Sequence, residues 1–154
     1  MKEGLRDSIE ALSARYVHAL DEDRLEDWPG FFTERGVYRI VTAENEARGL
    51  PAPILYAEGR AMLRDRVASL RHANIYEPQR YRHMVSAVLI EKSTRKLALV
   101  KSNFLVIRTM ENGESTFFAS GRYADRIAVD AMQFEERVVV CDSRRFDTLL
   151  AIPL

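Results

Sequence analysis

Three aspartates lie at or near the ends of predicted secondary-structure elements, where an acid or a base could serve catalysis. They are Asp21, Asp125 and Asp142. A carboxyl group that is removed from water has a raised pKa and can act as a general base near neutral pH. The same three residues could instead cap helices or pair with some of the 19 arginines of the chain. For isolated acidic residues this second interpretation is the more common one.

The three histidines are the next residues with acid–base or metal chemistry. His18 and Glu22 are four positions apart and share a helix face, but two ligands do not complete a metal site. His72 lies at the predicted end of a helix, where the helix dipole favours a positive charge. His83 begins a long strand and is the one histidine that we expect near the interior.

The single cysteine, Cys141, follows three valines and is expected to pack as a small apolar side chain. A nucleophilic role would need a lowered thiol pKa and a neighbouring base, and the sequence indicates neither. One cysteine cannot build a Rieske centre, which takes two cysteines and two histidines. The chain also lacks the glycine-rich phosphate motifs and the nucleophile-elbow serine. The residues therefore indicate no cofactor or metal on this chain.

Composition restricts the class of protein further. The 154 residues are 47% hydrophobic, which suffices for one domain over 1–154 with a core of its own. The 23 basic and 23 acidic residues cancel, and this balance argues against a nucleic-acid partner. No apolar run approaches the ~20 residues that span a bilayer, and the first residues are charged. We expect a soluble, cytoplasmic chain.

The elements that must position these residues begin with helices. Apolar residues recur at helical spacing in the first segment, namely at Leu5, Ile9, Leu12, Tyr16 and Leu20. Asp23 could cap a short helix that reaches Trp28, and a strand is predicted over 37–41. Residues 43–58 look irregular. A second long helix is predicted over 59–72.

After the second helix the apolar period changes to two, which is typical of strands. The predicted strands cover residues 81–91, 97–110, 115–128 and 133–142. Asn112-Gly113 favours a type I′ hairpin turn, and Gly121 suggests a bulge. Helices followed by a long meander predict an α+β fold, with a strongly curved antiparallel sheet wrapped over the N-terminal helices. Such a sheet leaves a cone-shaped space against the helices.

Two surface features indicate contact with another chain. The stretch Glu58–Arg82 contains six arginines with Tyr76 and Tyr81 between them, a combination that interfaces favour, although a solvated helix face is equally compatible. The last six residues are almost entirely apolar, whereas chain ends are usually polar and frayed. This tail must dock against its own core or against a neighbour.

An ordered series of segments along nearly the whole chain resembles one known family. The segments are Asp21, Trp28-Pro29, Phe31-Phe32, Ala73-Asn74-Ile75-Tyr76, Arg80-Tyr81-Arg82-His83, Phe118-Ala119-Ser120-Gly121-Arg122-Tyr123, Val140-Cys141-Asp142-Ser143 and 147–154. Together they resemble the small (beta) subunits of aromatic-ring-hydroxylating dioxygenases. Within that family they resemble the small subunits of terephthalate dioxygenases.

This resemblance implies a cystatin-like roll, the fold of steroid isomerases and scytalone dehydratase. It implies a non-catalytic assembly subunit in a hexamer of three large (alpha) and three small chains, which acts on an aromatic carboxylate such as terephthalate. The large subunit would carry the Rieske 2Fe-2S cluster and the mononuclear Fe(II), and a reductase would supply electrons from NADH. The residues expected at the subunit interface are Tyr76, Arg80, Tyr81, Arg82, Leu150, Ile152 and Leu154.

Two other functions remain open from the residues themselves. The chain could be a stand-alone isomerase or dehydratase of the same fold, with Asp125 or Asp142 as base and Tyr16 or Tyr123 as electrophile. It could also be a module that binds a small ligand. A neighbouring reading frame of ~400 residues with Cys-x-His and Cys-x-x-His pairs would favour the dioxygenase subunit.

Overall fold

Three α-helices, one 3-10 helix and six strands make up the fold in a computed structural model that describes residues 2–50, 52–72, 78–143 and 152–154. The helices are α1 (Lys2–Asp21), the 3-10 helix (Leu25–Phe31), α2 (Ala43–Ala47) and α3 (Gly59–His72). The strands are β1 (Phe32–Thr42), β2 (Leu55–Glu58), β3 (Gln79–Ser93), β4 (Leu97–Met110), β5 (Ser115–Ala128) and β6 (Gln133–Cys141). They form one sheet in the order β2-β1-β6-β5-β4-β3.

The two long helices confirm the predictions from apolar spacing. In α1 the periodic residues Ile9, Leu12, Tyr16 and Leu20 are at most 3% exposed. Helix α3 begins and ends at the predicted residues. Its buried side chains, Leu63, Val67 and Leu70, lie at helical spacing. Both helices therefore present one apolar face to the sheet, as a 3.6-residue period requires.

The α+β architecture is as predicted, and the four long strands form the predicted antiparallel meander from β3 to β6. Strand β1 adds a feature that the prediction lacked, because it pairs in parallel with β6 and antiparallel with β2. The sheet is therefore mixed. A parallel neighbour requires a crossover connection, and the chain between β1 and β6 provides it.

Residues 43–58 are more regular than predicted. They contain helix α2 and strand β2. Thr42 caps α2, since its Oγ1 accepts a hydrogen bond from the main-chain N–H of Asn45 at 3.1 Å. Asp23 does not cap the 3-10 helix, which has no side-chain cap. Its carboxylate accepts two hydrogen bonds from Arg71 instead, at 2.9 and 3.0 Å.

Two glycines behave differently from their prediction. The hairpin lies where Asn112-Gly113 placed it, but only Gly113 has a positive φ, of 88°, so the turn is not type I′. Gly121 pairs regularly with Phe104 and Cys141, and the β4–β5 register instead shifts around Phe118. A Cβ on Gly121 would lie 1.9 Å from the Val140 oxygen. The glycine therefore permits a close approach of β5 and β6.

The main core lies between helices α1 and α3 and the sheet face that carries Tyr38, Phe104 and Tyr123. We call this sheet face the inner face, and the space between it and the helices the cone. A smaller apolar cluster of Val41, Val138 and Val140 lies on the outer face. In the described ranges no helix combines the length and apolar character that crossing a membrane requires.

Candidate functional site

Strand register places three polar side chains in a row across the inner face. Tyr38 of β1 is the partner of Arg137 of β6, and Arg137 is in turn the partner of Asp125 of β5. The Arg137 guanidinium donates to both carboxylate oxygens of Asp125, from Nε at 2.9 Å and from Nη2 at 2.8 Å. Both side chains are at most 3% exposed. The cone thus contains a fully buried bidentate ion pair.

Aromatic rings enclose this ion pair. The guanidinium carbon of Arg137 lies 3.7, 4.1 and 4.4 Å from the ring centres of Tyr123, Phe134 and Tyr16. Burial raises the pKa of Asp125 above its ordinary value, and Arg137 opposes that rise. Burial also acts to lower the pKa of Arg137, but the Asp125 carboxylate outweighs it and the pKa is raised. Since both carboxylate oxygens are engaged, Asp125 is not placed to act as a free base.

A second buried pair joins the end of α1 to the edge strand β3. His83 Nδ1 lies 2.6 Å from Asp21 Oδ1, and the main-chain N–H of His83 donates to Asp21 Oδ2 at 2.9 Å. The two side chains are 0% and 3% exposed. His83 Nε2 is buried without a hydrogen-bond partner among the described residues. His83 therefore lies in the interior as predicted, and the carboxylate orients its ring.

A third polar cluster lies where residues 152–154, hereafter the tail, enter the cone. The hydroxyls of Tyr16 and Tyr38 each donate to the main-chain oxygen of Leu154, both at 3.0 Å. Trp28 Nε1 donates to the Tyr16 hydroxyl at 3.1 Å, and the main-chain N–H of Leu154 donates to the Tyr38 hydroxyl at 3.0 Å. All four residues are 0% exposed. The tail is therefore a hydrogen-bonded part of the core.

The remaining interior candidates are Tyr123 and Cys141. The Tyr123 hydroxyl is buried without a hydrogen-bond partner in the described part of the chain. Burial raises the pKa of Tyr123 well above its ordinary value, and Arg137 partly offsets that rise. Burial, with a smaller contribution from Asp142, raises the pKa of Cys141 to about 12. A thiol that stays protonated is a poor nucleophile, in agreement with the predicted packing role.

Three candidates lie outside the cone. Asp142 is exposed and accepts a hydrogen bond from the Ser120 hydroxyl at 2.9 Å, so it is a surface acid and not a base in the cone. His18 lies in the last turn of α1 and Glu22 follows the end of that helix, so they do not share a helix face; His18 Nδ1 lies 3.9 Å from Glu22 Oε1 and both are largely exposed. His72 is exposed at the end of α3. No cluster of three His, Cys, Asp or Glu side chains suited to a metal occurs within the described ranges.

The predicted interface residues fall into three groups. Tyr76 and Leu150 lie outside the described residues. Tyr81, Ile152 and Leu154 are at most 5% exposed and belong to this chain's own core. The reason is that Tyr81 points to the inner face, and the tail closes the cone. Arg80 and Arg82 alternate with Tyr81 and are exposed on β3.

Sequence reasoning missed Arg137, Tyr38 and Trp28 as members of the buried polar clusters. The sequence did indicate an inward position for Arg137. Side chains two and four positions apart on a strand point to the same face, and Val139 and Cys141 point inward. A charged residue at an inward position requires a partner of opposite charge. Its partner could not be identified from the pattern, since strand register was unknown.

The fold is an α+β roll whose interior is filled by aromatic residues, two buried acid–base pairs and the tail. A family model, Ring hydroxylating beta subunit, matches residues 15–148. The chain is 43% identical over 148 residues to the terephthalate 1,2-dioxygenase terminal oxygenase component subunit beta 1 of Comamonas sp, covering 95% of this chain and 96% of that one. The chain belongs to the family of ring-hydroxylating beta subunits.

Two further relatives are also small or beta subunits of such dioxygenases. The anthranilate 1,2-dioxygenase small subunit of Burkholderia cepacia is 44% identical over 148 residues, covering 95% of this chain and 92% of the other. A crystal structure assigned to the beta subunit of an aromatic-ring-hydroxylating dioxygenase of Novosphingobium aromaticivorans superposes with a TM-score of 0.91 at 31% identity, over 99% of both chains. A structure assigned to a scytalone dehydratase of that organism has a TM-score of 0.69 at 20% identity, over 90% of this chain and 84% of the other, and shows the fold alone.

Proposed function

We propose that this chain is the non-catalytic small subunit of a cytoplasmic dioxygenase that hydroxylates an aromatic carboxylate such as terephthalate. The observation that carries the proposal is 43–44% identity, over 95% of the chain, to small subunits of terephthalate and anthranilate dioxygenases. Both names refer to aromatic carboxylates. In the proposed complex of three large and three small chains, the large subunit holds the Rieske 2Fe-2S cluster and the Fe(II), and a reductase delivers electrons from NADH.

The filled interior supports a role in assembly. In the cone, Asp125 is engaged by Arg137 and the tyrosines Tyr16 and Tyr38 are engaged by Leu154. Asp125, Tyr16 and Tyr38 are therefore each engaged by a group of this chain. A single cysteine also cannot supply the thiolates of a Rieske cluster. The redox chemistry of the complex is therefore assigned to the partner chain.

We propose that the large subunit covers the outer face of strands β3 to β5 at the end that carries Arg82 and Phe117, away from Leu89. Of the residues predicted at the interface, Arg80 and Arg82 are exposed on this face. Arg82 of β3 pairs with Ile107 of β4, and Ile107 pairs with Phe117 of β5. Phe117 is 60% exposed and Met84 is 50% exposed. Arginine and large apolar side chains on one face are the composition that interface cores favour. Water covers this face in the isolated chain.

Co-expression with the large subunit of a terephthalate or anthranilate dioxygenase tests both statements. The isolated chain should show no turnover of terephthalate or anthranilate with reductase and NADH, and the co-purified complex should hydroxylate one of them. Phe117→Asp should reduce co-purification at least about tenfold, because a carboxylate would be buried without a partner. Leu89→Asp is the matched control on β3, since Leu89 is also exposed, by 54%.

Two results would contradict the proposal. Turnover by the isolated chain would show that it carries its own catalytic site. Failure of the unmodified chain to co-purify with the large subunit would remove the assembly role. Equal loss of co-purification in the Phe117→Asp and Leu89→Asp variants would leave the subunit assignment intact and reject the location of the interface.

The Asp21–His83 pair favours one second candidate, an acid–base enzyme of this fold. A carboxylate that orients a histidine ring is a common arrangement for proton transfer. The test is exchange of the α-hydrogens of a cyclic ketone in deuterium oxide, followed by NMR on the isolated chain. We expect no exchange above the buffer rate. Exchange that the Asp21→Asn variant abolishes would establish this second function.

A further inference from the structure

The hydrogen bonds around Leu154 fix the direction of both phenol protons. Tyr16 accepts from Trp28 Nε1 and Tyr38 accepts from the Leu154 N–H, so each hydroxyl has its own proton left to donate. Both protons go to one acceptor, the main-chain oxygen of Leu154, at 3.0 Å. Two hydroxyls that converge on one oxygen in a dry interior form a strong site for a carbonyl or carboxylate oxygen.

The donors are held independently of the tail. Tyr16 is on helix α1, Tyr38 is on strand β1 and Trp28 is on the 3-10 helix, and their rings pack against other aromatic rings. The ring centres of Tyr16 and Phe134 are 5.5 Å apart and their ring planes meet at 85°. The ring centres of Tyr38 and Phe32 are 6.0 Å apart and their ring planes meet at 90°. The surrounding core, and not only Leu154, therefore sets the positions of the hydroxyls.

Residues 152–154 lie between two surface clefts. Pro153 lines a cleft of ≈ 340 Å³ together with Trp28 and Met62. Ile152 lines a second cleft of ≈ 520 Å³ together with Asp21 and Tyr81. Each cleft therefore has one wall made by the tail. Withdrawal of three residues would open the space between the clefts beside the two hydroxyls.

We propose that the cone is a ligand site for compounds that carry a carbonyl or carboxylate oxygen on an apolar body, and that residues 152–154 occupy it as an internal ligand. The Leu154 oxygen supplies the acceptor, and Ile152 and Leu154 supply the apolar body, at most 5% exposed. A tethered segment has an effective concentration on the order of millimolar, so free ligands bind only when the tail is weakened or removed. The site is independent of the large subunit.

Two variants and two probes test this site. One variant ends at residue 151, and the other is the full chain with Leu154→Ser, which keeps the length but weakens the seating of the tail. The probes are the peptide acetyl-Ile-Pro-Leu and para-tert-butylbenzoate, with para-tert-butylbenzylamine as the control that lacks an acceptor oxygen. Trp28 is the single tryptophan and donates to Tyr16, so its fluorescence reports on the site directly.

We expect both probes to bind each variant and to shift Trp28 emission, with little binding to the unmodified chain. Adding Tyr38→Phe should weaken the binding of both probes about tenfold through the loss of one hydrogen bond in a dry site. Adding Tyr56→Phe is the matched control, because Tyr56 lines the first cleft but its exposed hydroxyl binds Glu58 and not the tail.

Each outcome of this experiment supports or overturns the proposed ligand site. Binding that depends on Tyr38, in either variant, supports the proposal. If the shortened chain does not fold, refolding on addition of the peptide supports it, and the Leu154→Ser variant decides with para-tert-butylbenzoate. Absence of binding in both variants, or equal binding of the amine control, overturns it and leaves the tail as a purely structural part of the core.

Discussion

At the scale of single residues, Arg137 organises the interior. It is 1% exposed, pairs with Asp125 through two hydrogen bonds and lies against three aromatic rings. A buried ion pair contributes little net stability compared with an apolar pair of the same volume, but one charge left alone is costly. We therefore expect the pair to specify the register of β5 on β6 more than it adds to the free energy of unfolding.

This account predicts a non-additive pattern of stabilities. Asp125→Asn should lower the free energy of unfolding by about 3–5 kcal/mol, because the Arg137 charge stays buried without its partner. The double variant Asp125→Leu with Arg137→Met should lose less than Asp125→Asn alone. Urea unfolding followed by Trp28 fluorescence measures both.

An exposed pair on the same two strands provides the control. Arg126 and Glu135 are 4.0 Å apart and about half exposed. Breaking that pair with Glu135→Gln should cost about 0–1 kcal/mol. A double variant of the buried pair that is less stable than Asp125→Asn would contradict the role given to Arg137.

At the scale of elements, the contact between β5 and β6 depends on a missing side chain. Gly121 lies so close to Val140 that a Cβ would meet its carbonyl oxygen at 1.9 Å. No rotation of a side chain relieves a contact with main chain. Strands β5 and β6 would have to move apart where Gly121 pairs with Cys141, and this would disrupt the sheet there.

Gly121→Ala should therefore destabilise the protein by about 2 kcal/mol or more, in the upper part of the range for overpacked sites. Gly4→Ala is the comparison, because Gly4 lies in α1 with nothing within 4 Å of the added Cβ, and alanine favours a helix. Thermal unfolding should show a lower Tm for the first variant and no decrease for the second. An unchanged Tm for Gly121→Ala would refute the close approach of the strands.

At the scale of the whole molecule, burial keeps several weak acids protonated. The pKa of Tyr16 is raised by burial, and burial raises the pKa values of Tyr38 and Tyr123 well above their ordinary value. Burial also raises the pKa of Cys141 to about 12. Each of these groups has a higher pKa in the folded chain than in the unfolded chain.

The sign of the pH effect follows from this difference. Groups with a raised folded pKa contribute stability that is complete below their unfolded pKa, about 8.5 for cysteine and 10 for tyrosine. That stability is lost as pH rises further, since the unfolded chain releases the protons first. The free energy of unfolding should therefore fall above about pH 9. Chemical unfolding at a series of pH values measures it.

Ultraviolet titration gives an independent measurement of the same effect. Of the six tyrosines, Tyr16, Tyr38 and Tyr123 should not ionise near pH 10 while the chain stays folded. Unfolding in guanidinium should make their phenolate absorbance appear. Ionisation of all six near pH 10, with the far-UV circular dichroism of the folded chain, would show that the three rings are not buried in solution.

The spacing of apolar residues along the sequence was enough to predict helix α1 and strands β3 to β6. The stripe that includes Ile9 and Leu12 placed α1, and the change to a period of two placed the four strands β3 to β6. The same alternation put His83 inside. The family resemblance, which rests on an ordered series of segments, identified the class of protein.

The tertiary structure alone decided which side chains meet. Asp21 and His83 are 62 positions apart, and Tyr38 and Leu154 are 116 apart, so no local period relates them. The parallel pairing of β1 with β6 and the position of the tail in the cone likewise depend on contacts between distant segments. Periodicity fixes which face a residue takes, whereas its partners depend on strand register and on the helices that close over the sheet.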